Sequence, residues 1–421
     1  MITAPAGRAA AWAPLRHPAF RLVWLTFLGV QLANWSETVG AVAVISAQSG
    51  SAGLLALVQT ASTLPAVAVA LPAGAAADLV DRRRLLVLLV ASMCASMVLL
   101  GVAVETGRAT PAVVLALTFV MGCAIAVAIP AFASLIPDLV PGDDLAAAVT
   151  LNGISINLAR ALGPALAGLV LALTTASALF ALLAAALGAM AVVLLATPRS
   201  AGPPPAQPDA GWVAAMRAGV RFARSSEDLQ AVLARGFAFV VPASALWAML
   251  PAVAVHRLDL EPAAFGGILA ALGSGAVLGA QVLPWLRARL GLDRLVSLGT
   301  AYGAVNLVLL SVVDSTALAV AALVVAGAAW IAVLSSLNTA AQLAAPAWVR
   351  GRALSINQLV FAAGMAAGSA TWGAIAEAAG LEAALLVAGG VLLASLAAAR
   401  RWPLAHRSTL QAGRISRPVQ R

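Results

Sequence analysis

A chain of 421 residues that is 62% hydrophobic and 10% charged carries too much apolar surface for a soluble domain, where the shares are roughly 45–50% and about 25%. A bilayer accepts such a chain at about 20 residues per helix. The net charge of +9 comes from arginine alone, since lysine is absent, and the arginines punctuate the ends of apolar runs instead of tracking one face, which argues against a nucleic-acid groove.

In chain order the apolar runs cover 20–46, 53–76, 85–104, 112–136, 146–173 and 178–196, then 231–255, 263–286, 295–313, 317–342, 353–376 and 383–399. They predict an all-α membrane protein of twelve transmembrane helices in two pseudo-symmetric six-helix halves, residues 1–196 and 231–400. Between the halves lies a cytoplasmic linker, 197–230, and after them a tail, 401–421. The linker opens with a Pro/Gly stretch, Pro198 to Pro208, that cannot be helical. From Gly211 to Arg224 it sets Trp212, Val213, Met216, Val220 and Phe222 among Arg217, Arg221 and Arg224, the pattern of a short amphipathic helix at a membrane surface. It reads as a connector or, less simply, as a docking site.

Arginines before the first run, in 82–84, in the linker, in 287–294, at Arg350 and Arg352, and in the tail all fall on one side of an even-numbered topology. Arg108 and Arg257 alone fall on the other. The positive-inside rule then puts both termini in the cytoplasm of a cell whose inner or plasma membrane holds the chain. Cys94 and Cys123 sit inside apolar runs and read as small buried hydrophobes. His17, His256 and His406 lie at segment edges, so neither a metal site nor a cofactor is expected. No cleaved leader, lipidation signal or nucleotide-binding loop is recognisable.

At an offset of 205 residues the halves align rare residue types: Gly74 with Gly279, Arg82 with Arg287, Arg84 with Arg289, Gly122 with Gly327, Pro141 with Pro346, Asn152 with Asn357, and Gly163 and Gly168 with Gly368 and Gly373. Parallel repeats of this kind build transporters whose site lies between the halves.

The loop after the second run reads Gly74-Ala-Ala-Ala-Asp78-Leu79-Val80-Asp81-Arg82-Arg83-Arg84. It resembles the cytoplasmic loop signature G-x-x-x-D-R-x-G-R-R of the major facilitator superfamily, with Leu79 in place of a basic residue and Asp81 in place of glycine. The ending Asp-Arg-Arg-Arg, the run Arg16 to Arg21, Pro137 to Pro141, Asn152 to Pro164, Ser336 to Thr339 and Val349 to Arg352 are similar to the drug- and siderophore-exporter branch that includes the enterobactin exporters. The resemblance covers nearly the whole chain. It implies a gating loop of Gly74, Asp78, Asp81, Arg82 and Arg83 acting against the helix that begins near Arg352 and Ala353; the plainer reading is that the arginines only mark the cytoplasmic side. It also implies an antiporter-like packing motif of Gly163, Pro164 and Gly168, which in the superfamily favours export; the plainer reading is glycine packing.

Only Glu37 and Arg160 are ionisable well inside apolar runs, where charge costs several kcal/mol and marks function by default. Counted from Arg21 and Ala146 they climb about 24 Å and about 21 Å along their helices, depths at which they could pair. Glu37 could carry protons, reach an outer interface, or serve a structural pair. Gln31, Asn34 and Thr38 form one helical stripe that should face a wet cavity or other protein, and Asn152, Asn157, Gln59 and Gln358 add polar groups. Trp35, Trp247, Trp330 and Trp372 read as interface belts in preference to ligand stacking. The expected activity is proton-coupled export of a small amphipathic, drug- or siderophore-like molecule by alternating access, performed by a monomer in the lipid bilayer. Uptake of a small solute and a membrane-embedded enzyme are the competing readings, and the scattered acids disfavour the enzyme.

Overall fold

Prolines, small polar caps and three left-handed glycines set the helix boundaries. The computed structural model describes residues 12–48, 51–79, 81–196, 220–261, 264–346 and 349–404. After a short 3-10 turn, Ala13–Arg16, α1 (Pro18–Gln48) begins on a proline, whose missing N–H costs nothing in a first turn. α2 (Ala52–Leu79) follows. α3 (Arg82–Glu105) is capped by Asp81, whose carboxylate accepts from the backbone N–H groups of Arg83 and Arg84. Thr110 and Pro111 start α4 (Pro111–Leu139); α5 (Gly142–Leu173) and α6 (Ala176–Ala196) complete the first group.

Ser226 caps α7 (Glu227–Ala252), which ends in a π-turn, Val253–Arg257. The helical stretch Ala264–Val312 breaks at Gly291, whose φ of 75° only glycine takes without strain. Its two limbs are α8 (264–290) and α9 (292–312). α10 (Thr316–Ala344) is capped by Ser315. α11 (Arg350–Ala379) turns at Gly380 (φ 92°) into α12 (Leu381–Ala394), and a short helix, Ala397–Arg401, follows.

All twelve expected runs therefore coincide with helices. Eight helices among the described residues are long and apolar enough to cross a membrane, with Ala264–Val312 counted once. α1, though 31 residues long, is not among them, because Gln31, Asn34, Ser36 and Glu37 lower its hydropathy. The Pro198 to Pro208 linker, the Trp212 to Arg217 part of the amphipathic stretch and the tail beyond Leu404 lie outside the described residues. Residues 220–225 are helical, in keeping with the end of that stretch.

The repeat is visible in the backbone. α4 and α10 are both 29 residues long and offset by 205 at each end; Ala176 of α6 and Leu381 of α12 have the same offset. Within the first group α1 packs on α4, α5 and α6, α2 on α4, and α3 on α6. Within the second, α7 packs on α11 and α12, and α8 and α9 on α10. The groups meet chiefly through α2 against α11 and α5 against α8. The repeat exchanges α2 with α8 and α5 with α11, so these two contacts are copies of one another. Such symmetry lets both hinge together about a single axis.

Candidate functional site

The two inter-group contacts are tight at one end of the bundle, the end that carries Arg108 and Arg257. There Glu377 Oε2 on α11 accepts from Ser51 Oγ at 2.7 Å and from the Gly53 N–H at 3.3 Å, just before and at the start of α2. A methyl group on Gly373 would stand 2.8 Å from Ala56 Cβ. In the symmetry-related contact, Gly266 of α8 lies against the Pro164 carbonyl and Gly168 of α5, and a methyl group there would be 2.7 Å from Gly168 Cα. Gly273 sits equally close to Ala161. Only hydrogen side chains allow these backbones to touch, as in other membrane helix pairs.

Inward from this seal, Trp35 of α1 meets Trp247 of α7 with ring centroids 5.7 Å apart. Trp247 continues to Trp330 at 5.4 Å, and Trp330 to Phe361 at 6.2 Å. Trp247 and Trp330 are buried. These tryptophans therefore form an aromatic bridge between the groups and not the interface belts their positions suggested. They belong to helix faces turned toward the other group, which no single-helix pattern distinguishes from faces turned toward lipid headgroups. Trp372 is likewise buried, its Nε1 donating to the Val241 carbonyl at 2.8 Å.

Between the aromatic bridge and the arginine-rich end lies a cavity of about 280 Å³, near the lower limit of small-molecule sites. α5 contributes Asn157 and Arg160; α10 and α11 contribute Asn338, Asn357, Gln358 and Phe361, with apolar residues between. Asn357 Nδ2 donates to Asn338 Oδ1 at 2.9 Å, and Asn157 Nδ2 to the Gly153 carbonyl at 3.0 Å. Among the described residues Arg160 is the one ionisable group in this wall. A larger hollow of about 610 Å³ lies at the opposite end, bounded by the helix ends of the first group and Glu261. Its walls are not shared between the two groups in the way the central cavity's are.

Arg160 and Glu37 do not pair. The guanidinium of Arg160 lies over the Trp35 ring, 5.4 Å from its centroid, and its buried Nε has no hydrogen-bond partner. Pro164, four residues on, has no N–H to offer the Arg160 carbonyl, which lies 3.0 Å from where a Gly273 side chain would begin. Glu37 is 1% exposed; its Oε1 accepts from Thr118 Oγ1 of α4 at 2.6 Å, inside the first group. Their depths match, as counted along the helices, but their faces do not.

The stripe on α1 divides as well. Thr38 and Gln59 line a small void beneath the seal, beside Trp35 and Trp247. Gln31 is buried with Oε1 unpartnered; Asn34 and Asn152 are half-buried outside the cavity wall. Gly163 packs on Trp35 Cβ within its own group, where Ser36 Oγ donates to its carbonyl at 2.9 Å, so the seal between groups is left to Pro164 and Gly168. In the arginine loop, Arg83 Nε donates to the Leu194 carbonyl at 2.8 Å and its terminal nitrogen to the Leu195 carbonyl. Arg83 thereby satisfies the open end of α6, while Asp81 caps α3. Gly74, Asp78 and Arg82, considered as side chains, lie outside the described residues.

Asn338, Asn357 and Phe361 were not singled out as cavity residues from the sequence. The repeat partner of Asn357, Asn152, carried a signal; Phe361 carried none, being one apolar residue among many.

Residues 9–417 match the family described as transmembrane secretion effector. The staphyloferrin A transporter of Staphylococcus aureus (strain NCTC 8325 / PS 47) is 31% identical over 180 residues, 42% of this chain and 44% of that protein. The match therefore spans less than half the length of that curated relative. Among solved structures, a mutant of the nucleoside transporter NupG superposes with a TM-score of 0.75 at 14% identity, covering 91% of this chain and 99% of the other. An inward-facing bacterial homolog of the human lysosomal transporter Spinster gives 0.71 at 16% identity, covering 97% and 99%. With its paired helix groups, shared seal and central cavity, the chain belongs to the transmembrane secretion effector family of major facilitator transporters and is a multi-pass membrane transporter.

Proposed function

We propose that the protein is a proton-coupled exporter of small amphipathic molecules, crossing the membrane twelve times with its arginine-rich end and both termini in the cytoplasm. The observation that carries this reading is the seal at the end that bears Arg108 and Arg257. α2/α11 and α5/α8 touch at the far end while the cavity lies on the arginine side, which is the cytoplasm-facing state of an alternating-access cycle. Rocking about the aromatic bridge would part Gly53 from Gly373 and Gly168 from Gly266, and close the opposite ends. Asp78, Arg82 and Gly74 would latch those ends, as the family loop implies.

Export in place of uptake is supported by Pro164 and Gly168, the antiporter-like pair, standing in the seal itself. Proton coupling is assigned to Glu37, a carboxylate held by a single hydroxyl in an otherwise apolar interface. The second group has no counterpart: the equivalent positions are Pro242 and Leu323.

The test uses everted membrane vesicles energised by respiration. Staphyloferrin A, named by the relative, serves as the first labelled compound beside a panel of small amphipathic molecules. Accumulation that collapses with a protonophore is expected. Accumulation only in right-side-out vesicles would reverse the direction, and indifference to the protonophore would remove the coupling. A reporter active only in the cytoplasm, fused after Pro208 or Arg421, should be active; silence at either site would break the topology.

A further inference from the structure

We infer that the central cavity selects organic carboxylates, with Arg160 as the residue that binds the acid group; this rests on the cavity being the substrate site. Arg160 is half-buried in the cavity wall with its Nε fully enclosed and unpartnered. A partly desolvated guanidinium is stabilised by a counter-charge, which no described residue supplies. Arg160 makes no ion pair or hydrogen bond through its guanidinium among the described residues. Its contact is with the flat face of Trp35. Glu37, the nearest intramembrane carboxylate by depth, is engaged with Thr118 on the other side of α1. Among the described residues the cavity wall holds no acid: its polar groups besides Arg160 are the amides of Asn157, Asn338, Asn357 and Gln358 and the Ser335 hydroxyl. That hydroxyl already accepts from Arg287 at 2.6 Å.

The repeat sharpens the point. The position equivalent to Arg160 in the second group is Met365, so the positive charge is one-sided and sits at the junction of α5 and α8, where the groups move against each other. A fork of N–H donors matches a carboxylate in two parallel bonds. Around it, Phe361, Leu334 and Ile331 present an apolar wall, and the amides can hold neutral oxygen or nitrogen atoms of the same molecule. The chemistry is that of a small acid with an apolar or aromatic body. An organic cation would meet an unpaired positive charge at the midpoint of its path.

The test is an equilibrium titration of the full chain in detergent, followed by the emission of its own tryptophans, since Trp35 lies beneath Arg160. Benzoate and benzamide, equal in shape and differing in charge, are compared at constant ionic strength. Benzoate should bind tighter by about ten- to a hundredfold, the range expected for a hydrogen-bonded charge. Arg160→Gln should erase that preference, and Arg160→Lys should keep part of it. Equal binding of the two compounds by the native chain overturns the inference, as does an undiminished preference in Arg160→Gln. Chloride displacing benzoate at equal concentration overturns it too, by making the site one for inorganic anions. If Arg160→Gln fails to fold, the native comparison and Arg160→Lys still decide. No gradient is involved: lost vesicle transport with an intact benzoate preference sinks only the exporter reading, and intact transport without the preference sinks only this one.

Discussion

Thr118 on α4 donates its hydroxyl to Glu37 on α1 at 2.6 Å, in a pocket that leaves the carboxylate 1% exposed. Two residues earlier, Trp35 faces the other helix group and carries Arg160 on its ring. Residues two apart in a helix lie about 200° apart in projection, so α1 presents its carboxylate to the interior of one group and its aromatic to the other group. A proton on Glu37 and a ligand on Arg160 would thus be separated by one helix, whose movement can couple them without direct contact.

Glu37→Gln keeps an acceptor for Thr118 but cannot release a proton. Gradient-driven accumulation in proteoliposomes should vanish, while ligand binding in detergent persists. Accumulation at the native rate would move the coupling elsewhere.

A side chain at the α5/α8 contact should hold the seal open. Gly266→Val forces a branched group onto the Pro164 carbonyl and Gly168, an overpacking of about 1–3 kcal/mol. The far-side-open form should gain about five- to a hundred-and-fiftyfold in population. Labelling of a cysteine placed at Gln59 by an impermeant thiol reagent, in cells, should rise accordingly. Unchanged labelling would mean that the contact does not gate.

Glu377→Ala removes the acceptor for Ser51 and Gly53 at the mouth of the seal. The pair is solvent-exposed, so its loss should be worth about 1 kcal/mol and shift the same labelling about fivefold. A shift as large as that of Gly266→Val would place the main energy of the seal in the latch and not in the glycines.

Arg235 of α7 is 4% exposed at its side chain and pairs with Asp293 at 2.5 Å; Ser297 accepts from it as well. Asp293, 38% exposed at its side chain, is partly screened by solvent, so Asp293→Ala should cost about 1–3 kcal/mol of stability, whereas Arg235→Met with Asp293→Ala should recover most of it. Melting temperature in detergent, followed by tryptophan emission, reports both. Asp293→Ala melting like the native chain would show that the pair is not structural.

The length and order of the helices, their boundaries within a few residues and their 205-residue repeat were legible in the chain. Those features depend on runs of apolar residues, caps and arginine placement, all local quantities in a bilayer that supplies the same solvent to every run. The cavity was legible in part: Arg160 and Asn157 stood out because charge and amide are costly at that depth. What only the tertiary structure decided is which face each residue turns to. Depth along a helix said that Glu37 and Arg160 could meet; rotation about α1 sends one to Thr118 and the other to Trp35. Small residues occur along nearly every run, yet among the described glycines it is Gly53, Gly168, Gly266, Gly273 and Gly373 that stand where the two groups touch. That selection depends on which helices are neighbours in space, and neighbours are chosen by the packing of all the runs at once.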